Sequence, residues 1–281
     1  GSFRPLQQPA LEQIHSTVLQ VLEETGLSEA PDTVIEHITA AGGKFGQDGR
    51  LRLPASLVER ALSGMQRRFT LYGQTGGHEM VLSGTRVHMG SGGAAPKIVD
   101  LETGHYRDST LRDLYDAARL VDSLANIHFF SRSLVATDLP DPHTLDINTA
   151  YACLSGTSKH VCVSASKGSH ASDIAEMCFR IAGSKQAFAS RPFLSFNVNH
   201  VTPPLRFSAE ACEVIEQASL LGIPFHANIF GQVGASSPVT LGGSLVQSVA
   251  EALAGMIFGW KRWRRRAGAG HGGDYSGRAI L

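Results

Sequence analysis

Apolar residues in the first part of the chain recur at the spacing of α-helices. Leu11, Ile14 and Val18 lie three or four residues apart, which predicts a first helix along the N-terminal segment. Similar spacing predicts further helices over residues 31–41 and from residue 54, and short β-like runs follow at 69–71 and 80–82. Residues 1–85 are therefore predicted to form an N-terminal cap of helices with a small antiparallel sheet.

From residue 86 the pattern changes to short apolar runs that alternate with helical segments. Strands are predicted over 87–89, 127–135, 160–165, 193–199 and 224–230, with helices over 173–181, 208–221 and 238–258. Such βα units in series are typical of a parallel sheet, which makes this an α/β protein. A (β/α)8 or TIM barrel needs eight strands. Because only about five βα units are found, residues 86–258 are predicted to form an incomplete TIM barrel.

The composition changes abruptly after residue 258. Residues 260–266 read Trp-Lys-Arg-Trp-Arg-Arg-Arg, and a Gly-rich stretch follows. We interpret residues 259–281 as a basic tail that results from truncation or a frameshift. The alternative is a nucleic-acid-binding tail. The whole chain has 25 Lys and Arg against 25 Asp and Glu, so its formal net charge is zero. This balance argues against nucleic acid or an anionic membrane as a partner.

Several further classes of protein are not indicated by the sequence. It has no run of 18 apolar residues and no signal-like N-terminus, which predicts a cytoplasmic protein that does not cross a membrane. Its four cysteines form no CxxC pair, so buried free thiols are expected. His160 and Cys162 form an H-x-C pair, but they lie at the start of their predicted strand. No bound metal is therefore predicted.

Polar residues in the predicted strands and the loops that follow them are the candidates for chemistry. Reactive groups of parallel α/β folds gather at the carboxyl edge of the sheet. The period of two places Asn197 with Asn199, and His226 with Asn228, on one face of their strands. These side chains bind substrate or, alternatively, hydrogen-bond to one another inside the barrel. No catalytic residue is singled out. The candidate substrate-binding residues are His88, Phe196, Asn197, Asn199, His200, His226, Asn228, Phe230 and Gln232.

Two Gly-containing loops are candidate anion or cofactor sites. The loop over 231–238 ends in Ser237, a good helix N-cap, followed by Pro238, a good first helical residue. Backbone N–H groups at such a helix start can bind an anion, although plain helix capping would explain the same residues. The candidate anion-binding residues are Gly90, Gly92, Gly93, Ser236 and Ser237.

Several segments together carry a family resemblance. They are Phe3-Arg-Pro-Leu6, Asp100-Leu-Glu-Thr-Gly-His-Tyr-Arg107, Gly234-Ala-Ser-Ser-Pro-Val-Thr-Leu-Gly-Gly243 and Ala250-Glu-Ala-Leu-Ala-Gly255. In this order, and extending over residues 3–258, they resemble the trimethylamine methyltransferase family, with an apparent truncation at the C-terminus. The resemblance implies a barrel enzyme that moves a methyl group from a tertiary or quaternary amine to a corrinoid. The amine would be trimethylamine or a betaine such as glycine betaine, and the corrinoid would be carried by a partner protein.

Two other interpretations remain open. One is a different TIM-barrel enzyme that uses a histidine at a strand end as general base. The other is an inactive, truncated relative. Because an incomplete barrel leaves strand edges that favour association, we also expect a homo-oligomer.

Overall fold

A computed structural model describes residues 4–268 and 279–280 of the chain. The fold is mixed α/β. The helices are α1 (Gln8–Gln20), α2 (Asp32–Thr39), α3 (Ala55–Gly64), α4 (Leu111–Ser123), α5 (Pro142–Gly156), α6 (Gly168–Ala182), α7 (Lys185–Ser190), α8 (Ala209–Leu221) and α9 (Leu241–Gly268). The strands are β1 (Lys44–Phe45), β2 (Leu51–Arg52), β3 (Phe69–Leu71), β4 (Met80–Leu82), β5 (Lys97–Val99), β6 (Tyr106–Asp108), β7 (Phe129–Ser131), β8 (His160–Val163), β9 (Leu194–Asn199), β10 (Val201–Thr202), β11 (Arg206–Phe207), β12 (Phe225–Asn228) and β13 (Ala279–Ile280).

The chain forms two compact units, and neither is continuous in sequence. Unit 1 comprises residues 1–65, 198–216 and 227–281, and unit 2 comprises residues 66–197 and 217–226. The predicted division of the sequence at residues 85 and 258 stays a prediction.

The principal sheet has the strand order β13-β12-β9-β8-β7. The strands β12, β9, β8 and β7 form a parallel sheet of four. In its register Ser131 lies opposite Cys162, and Cys162 lies opposite Ser195. The Phe196 N–H donates to the Pro224 carbonyl at 2.9 Å, which ties the segment before β12 to β9. The prediction of a parallel sheet is confirmed.

Four of the five predicted strands are present and fall inside their predicted ranges as β7, β8, β9 and β12. The strand predicted over 87–89 was wrong. The backbone pairs with the segment around β7 only a few residues later, through isolated parallel bridges from Gly90 to Phe129 and from Ala95 to Leu134. A Cβ at Gly90 would overlap the Phe129 ring, so this close approach requires glycine.

Local capping explains several of the helices of unit 2. Thr110 and Asp113 form a capping box at the start of α4, in which each side chain accepts a backbone N–H of the other residue. Asp141 caps α5 by accepting the Thr144 N–H at 3.0 Å. Gly183, with φ +84°, ends α6 in the left-handed conformation.

The predicted antiparallel pair over 69–71 and 80–82 is confirmed as β3 and β4. Helices α1, α2 and α3 also match the predicted N-terminal segments, although the turn over Val21–Thr25 after α1 is π-helical. Three further two-stranded antiparallel pairs were not predicted: β1 with β2, β5 with β6, and β10 with β11. Strands of two or three residues are too short for a periodicity to be recognised.

Helix α9 begins three residues later than predicted and continues past Phe258 to Gly268. Its stretch Leu241–Lys261 is long and apolar enough to cross a membrane by length and composition, but 67% of its apolar segment is buried inside the protein. Ala250, Ala254 and Ile257 are completely buried. Core packing therefore accounts for the apolar character of this helix. The rest of the predicted basic tail, residues 269–278 and 281, lies outside the described residues.

Candidate functional site

The parallel sheet has one apolar face and one polar face within unit 2. In β9 the buried side chains of Leu194 and Phe196 alternate with Ser195 and Asn197, as the strand period of two requires. Ser131, Cys162 and Ser195 lie side by side on three neighbouring strands. We call this face, with Asn197, His160 and His226, the polar face.

Three side chains of the polar face form a continuous hydrogen-bonded chain. Nδ1 of His160 lies 2.9 Å from the Tyr72 carbonyl oxygen. Nε2 of the same ring lies 2.8 Å from Oγ of Ser195. The Ser195 hydroxyl lies in turn 3.2 Å from Nε2 of His226. This hydrogen-bonded chain thus links β8, β9 and β12, and its first acceptor is a backbone carbonyl.

Burial keeps this group of residues uncharged at neutral pH. His160 is completely buried, which lowers its pKa to about 3. Burial also lowers the pKa of His226 to about 4. The pKa of the Cys162 thiol is raised by burial to about 12, so it is neither a thiolate nor a nucleophile at neutral pH.

A second group of hydrogen bonds lies at β7. The Asn197 amide donates to Oγ of Ser131 at 3.2 Å. Ser91 both accepts the Ser131 N–H at 3.0 Å and donates its hydroxyl to the Ser131 carbonyl at 2.8 Å. The side chain of Ser91 thus bonds to the β7 backbone beside the bridge at Gly90. The polar face offers hydroxyl, amide and imidazole groups with no formal charge.

Of the residues predicted to bind substrate, Asn197 and His226 belong to the polar face. Phe196 does not, because its side chain is on the opposite face and is completely buried. Phe196 is therefore a core residue, and its contact with substrate stays a prediction. His88 lies elsewhere in unit 2, where Nε2 meets the Val81 carbonyl at 3.1 Å and the ring packs edge-on against His128. Gly92 and Gly93 lie in the exposed loop that follows the bridge at Gly90.

The remaining candidates belong to unit 1. His200 is completely buried, its Nε2 donates to the Glu251 carbonyl at 2.8 Å, and burial lowers its pKa. Gly255 lies directly against the His200 ring, leaving no space for a Cβ. His200 is therefore part of the interior of unit 1. Asn228 is half-buried, whereas Asn199, Phe230 and Gln232 are exposed.

Several N–H groups of the loop before α9 donate within the loop itself. The N–H groups of Ser236 and Ser237 both donate to the Gln232 carbonyl at 3.0 Å. The Gln232 N–H donates to Oγ of Ser236 at 2.9 Å, and the Gly234 N–H donates to the Ser237 carbonyl at 3.0 Å. These donors close the loop on itself. The helix that follows starts only at Leu241, and the anion site at Ser236 and Ser237 stays a prediction.

Sequence reasoning missed three members of the hydrogen-bonded chain. The Tyr72 carbonyl is 88 residues away from His160 along the chain, so no sequence signal connects them. Ser195 could have been found, since it shares a strand face with Asn197. His160 was set aside because it starts its strand, although burial of a histidine there already required hydrogen-bond partners.

A separate cluster joins α5 to α6 in unit 2. Nδ1 of His170 lies 2.7 Å from Oδ2 of Asp146, and Nε2 of His143 lies 2.9 Å from Oδ2 of Asp173. Each helix thus provides one histidine and one aspartate, three residues apart, and the two pairs cross between the helices. Among residues 4–268, no group of three or more potential ligands is arranged to hold a metal ion.

A family model described as trimethylamine methyltransferase (MTTB) matches residues 1–265. The chain belongs to the trimethylamine methyltransferase family. This assignment confirms the resemblance seen in the sequence. The curated relatives support it over most of the chain.

The family relatives come from bacteria and archaea. Trimethylamine methyltransferase MttB of Desulfitobacterium hafniense is 29% identical over 248 residues, which cover 88% of this chain and 50% of that protein. MttB1 of Methanosarcina mazei is 29% identical over 253 residues, covering 88% and 50%. MttB of Methanosarcina thermophila is 28% identical over 254 residues, covering 88% and 52%. The chain spans about half the length of these curated relatives.

Proposed function

We propose that this chain takes part in removing a methyl group from a methylated amine and passing it to a corrinoid carried by a partner protein. Family membership supports the reaction class, and the names of the relatives support trimethylamine as the substrate. The observation that carries the proposal is the polar face itself, whose hydrogen-bonding groups are buried or half-buried and carry no formal charge. The four parallel strands are proposed to be part of a TIM-barrel sheet, in which this face would line the interior.

An uncharged site fits a methylated ammonium better than it fits an anion. The methyl groups of such a cation donate no conventional hydrogen bonds, so they are held by partial negative charges and aromatic faces. The lone pairs of Ser131, Ser195 and His226 provide partial negative charge at the polar face. Glycine betaine is the second candidate, but its carboxylate would need a cationic or N–H partner. The polar-face residues include no cation, which favours trimethylamine.

The corrinoid would supply a nucleophilic metal centre that accepts the methyl group. The loop before α9 does not fit a cofactor phosphate, because its N–H groups already donate within the loop. We therefore propose that the partner protein holds the corrinoid and that this chain binds and orients the amine. In-line approach of the methyl carbon makes that orientation the main contribution of the protein.

A second function would be that of a barrel enzyme with His226 as general base. It is favoured by one observation, namely that His226 is neutral and therefore able to accept a proton. The two functions require different substrates. A general base needs a substrate with an acidic C–H or O–H group, whereas the methyltransferase needs a methylated amine.

The test is calorimetric titration of the folded protein with trimethylamine hydrochloride and with glycine betaine at pH 7. We expect trimethylammonium to bind, and His226→Ala and Asn197→Ala to weaken its affinity at least tenfold. His105→Ala is the matched control, because His105 is an exposed histidine of unit 2 outside the polar face. Equal binding by all variants, or no binding by the folded protein, would contradict the proposal for this chain.

Oligomeric state and cellular location are also proposals. We propose a homo-oligomer, supported by the apolar surface of the β5–β6 pair, where Leu101 is 99% exposed and Tyr106 is 77% exposed. Light scattering on the purified protein would give the mass directly, and a monomeric mass would contradict the proposal. A cytoplasmic location is proposed because the partner corrinoid must be kept reduced, and cell fractionation would test it.

A further inference from the structure

The hydrogen-bonded chain of the polar face can be directed in only one way. A carbonyl oxygen accepts hydrogen bonds and never donates, so Nδ1 of His160 must carry the proton that faces Tyr72. His160 is completely buried, which excludes a doubly protonated, charged ring at neutral pH. Nε2 of His160 is therefore a bare acceptor.

The direction of the remaining two bonds follows from this. A hydroxyl group has a single proton, and Ser195 must donate it to Nε2 of His160. Oγ of Ser195 can then only accept at its contacts with Cys162 and His226, so Nε2 of His226 carries a proton and donates it. A neutral imidazole has only one N–H, which leaves Nδ1 of His226 with a lone pair. Among residues 4–261, whose side chains the structure describes, this Nδ1 makes no hydrogen bond.

We propose that Nδ1 of His226 is the acceptor for the N–H group of a protonated tertiary amine, and that Ser195 and His160 are the positioning residues that fix its tautomer. The amine part rests on the proposed function, whereas the tautomer follows from the hydrogen bonds alone. This assigns distinct roles to three residues of the polar face.

The chemistry of a tertiary amine explains the need for such an acceptor. Transfer of a methyl group from trimethylammonium breaks one C–N bond and leaves both bonding electrons on nitrogen. A corrinoid held by the partner would supply the nucleophile that takes up the methyl group, and dimethylamine would leave as a neutral molecule with its N–H intact. Without that proton an amide anion would have to leave, which is far less favourable.

The acceptor must therefore hold the N–H group without removing its proton. A weakly basic nitrogen does this, and burial lowers the pKa of His226 to about 4. A quaternary amine has no N–H group and gains nothing from this nitrogen. The arrangement therefore distinguishes tertiary amines in their protonated form from betaines.

The tautomer is tested by nuclear magnetic resonance on the protein labelled with 15N at histidine, since protonated and bare ring nitrogens have well-separated shifts. The His226 signals are assigned by their loss in His226→Gln. We expect His226 as the Nε2–H tautomer and His160 as the Nδ1–H tautomer. The opposite tautomer at either ring in the unmodified protein would overturn the direction of the chain.

Variants of Ser195 then separate positioning from plain structural support. Ser195→Ala removes the link, so we expect the His226 tautomers to mix while His160 keeps its Nδ1–H bond to Tyr72. Ser195→Thr retains the hydroxyl group and should restore the Nε2–H tautomer. An unchanged His226 tautomer in a folded Ser195→Ala protein would overturn the role of Ser195.

The amine is tested in the same sample with two probes of similar size, trimethylammonium and tetramethylammonium. We expect trimethylammonium to shift the His226 Nδ1 signal and tetramethylammonium to leave it nearly unchanged. Equal shifts from both probes, or none from either, would overturn the acceptor role. Calorimetric binding of an amine without a His226 shift would overturn this role alone, and the proposed function would survive it.

Discussion

Asp146 accepts two hydrogen bonds at one carboxylate oxygen, one from Nδ1 of His170 and one from the Ser166 N–H, both at 2.7 Å. Asp146 and His170 are both buried. The pair therefore ties helix α5 to the first turn of α6 and to the loop before it. Its counterpart, His143 with Asp173, makes the same kind of contact at the surface.

The two pairs should differ sharply in what they contribute to stability. Asp146→Ala leaves the buried His170 N–H without an acceptor, at about 1–3 kcal/mol, and also removes the acceptor of the part-buried Ser166 N–H, so we expect a loss of about 1–4 kcal/mol. Asp173→Ala is the matched control, and its exposed pair should contribute at most about 1 kcal/mol. Urea unfolding measures both. Equal losses would show that burial does not distinguish the two pairs.

Glu251 should hold its proton to a higher pH than an ordinary glutamate does. Its side chain is completely buried, and burial raises its pKa. Oε1 accepts the Leu205 N–H and the Gln247 amide, both at 2.9 Å, while Oε2 has no partner among residues 4–268. Glu251→Gln retains an acceptor for both donors, whereas Glu251→Ala leaves both without one.

We therefore expect Glu251→Gln to unfold at nearly the same urea concentration as the unmodified protein at pH 7, and Glu251→Ala to lose about 2–5 kcal/mol. Since the pKa is raised in the folded state, the contribution of Glu251 is fully present at low pH and declines as pH rises through the folded pKa. Glu251→Gln should remove this decline. An unchanged pH profile would contradict the raised pKa of Glu251.

Acid should destabilise the protein through the histidines of the polar face. The folded-state pKa values of His160 and His226 are lowered to about 3 and about 4, below the ordinary value of 6.5. At pH values between the folded-state pKa and 6.5, each histidine binds more protons in the unfolded chain than in the folded protein. The free energy of unfolding therefore rises with pH in this range. Their contribution is complete above about pH 6.5 and is lost progressively as pH falls toward the folded values.

The measurement is the free energy of unfolding from urea titrations between pH 7 and pH 4.5. Each histidine should add up to about 1.4 kcal/mol per pH unit to the slope. His226→Gln should reduce the slope by the contribution of one histidine. The exposed control His105→Ala should leave the slope unchanged. A slope that is the same in both variants would contradict the lowered pKa of His226.

Lys159 should be needed for its hydrogen bonds and not for an ion pair. Its ammonium group donates to the carbonyls of Val121, Leu124 and Ile127 at 2.6–2.7 Å, at and just after the end of α4. A cation there also interacts favourably with the helix dipole. Lys159→Met keeps the apolar stem but leaves three carbonyls without this donor.

We expect Lys159→Met to destabilise the protein by about 2–5 kcal/mol, because three hydrogen bonds from a charged donor to buried or part-buried carbonyls are lost. Lys167→Met, at an exposed lysine of the same unit, is the control and should change stability by less than about 0.5 kcal/mol. Thermal or urea unfolding measures both. A loss below about 1 kcal/mol for Lys159→Met would mean that water replaces the ammonium group.

The sequence predicted the parallel sheet well because each strand carries its own signal. The apolar run around Val161 and Val163 and the alternation around Phe196 are local features, and both strands appear inside their predicted limits. The first predicted strand failed because pairing at Gly90 depends on the distant Phe129 ring. The start of α9 was misplaced because loop N–H groups bond to Gln232 instead of continuing the helix.

The candidate site was predicted only in part. Alternation correctly placed Asn197 with its neighbours on one strand face, and the same argument placed His226 on the polar side of β12. It could not bring His160 to Ser195, since that contact depends on the register between two strands. Register is set by the packing of whole elements and leaves no local trace in either strand.

Gly255 restricts which amino-acid substitutions helix α9 can accept. Because the His200 ring occupies the space of a side chain at position 255, even alanine would have to displace a fully buried imidazole that donates to the α9 backbone. A helix rotated about its axis would present a larger residue to the same ring. The absence of a Cβ at position 255 therefore fixes the rotation of α9 about its own axis. In a library of random substitutions, we expect only glycine to be accepted at this position.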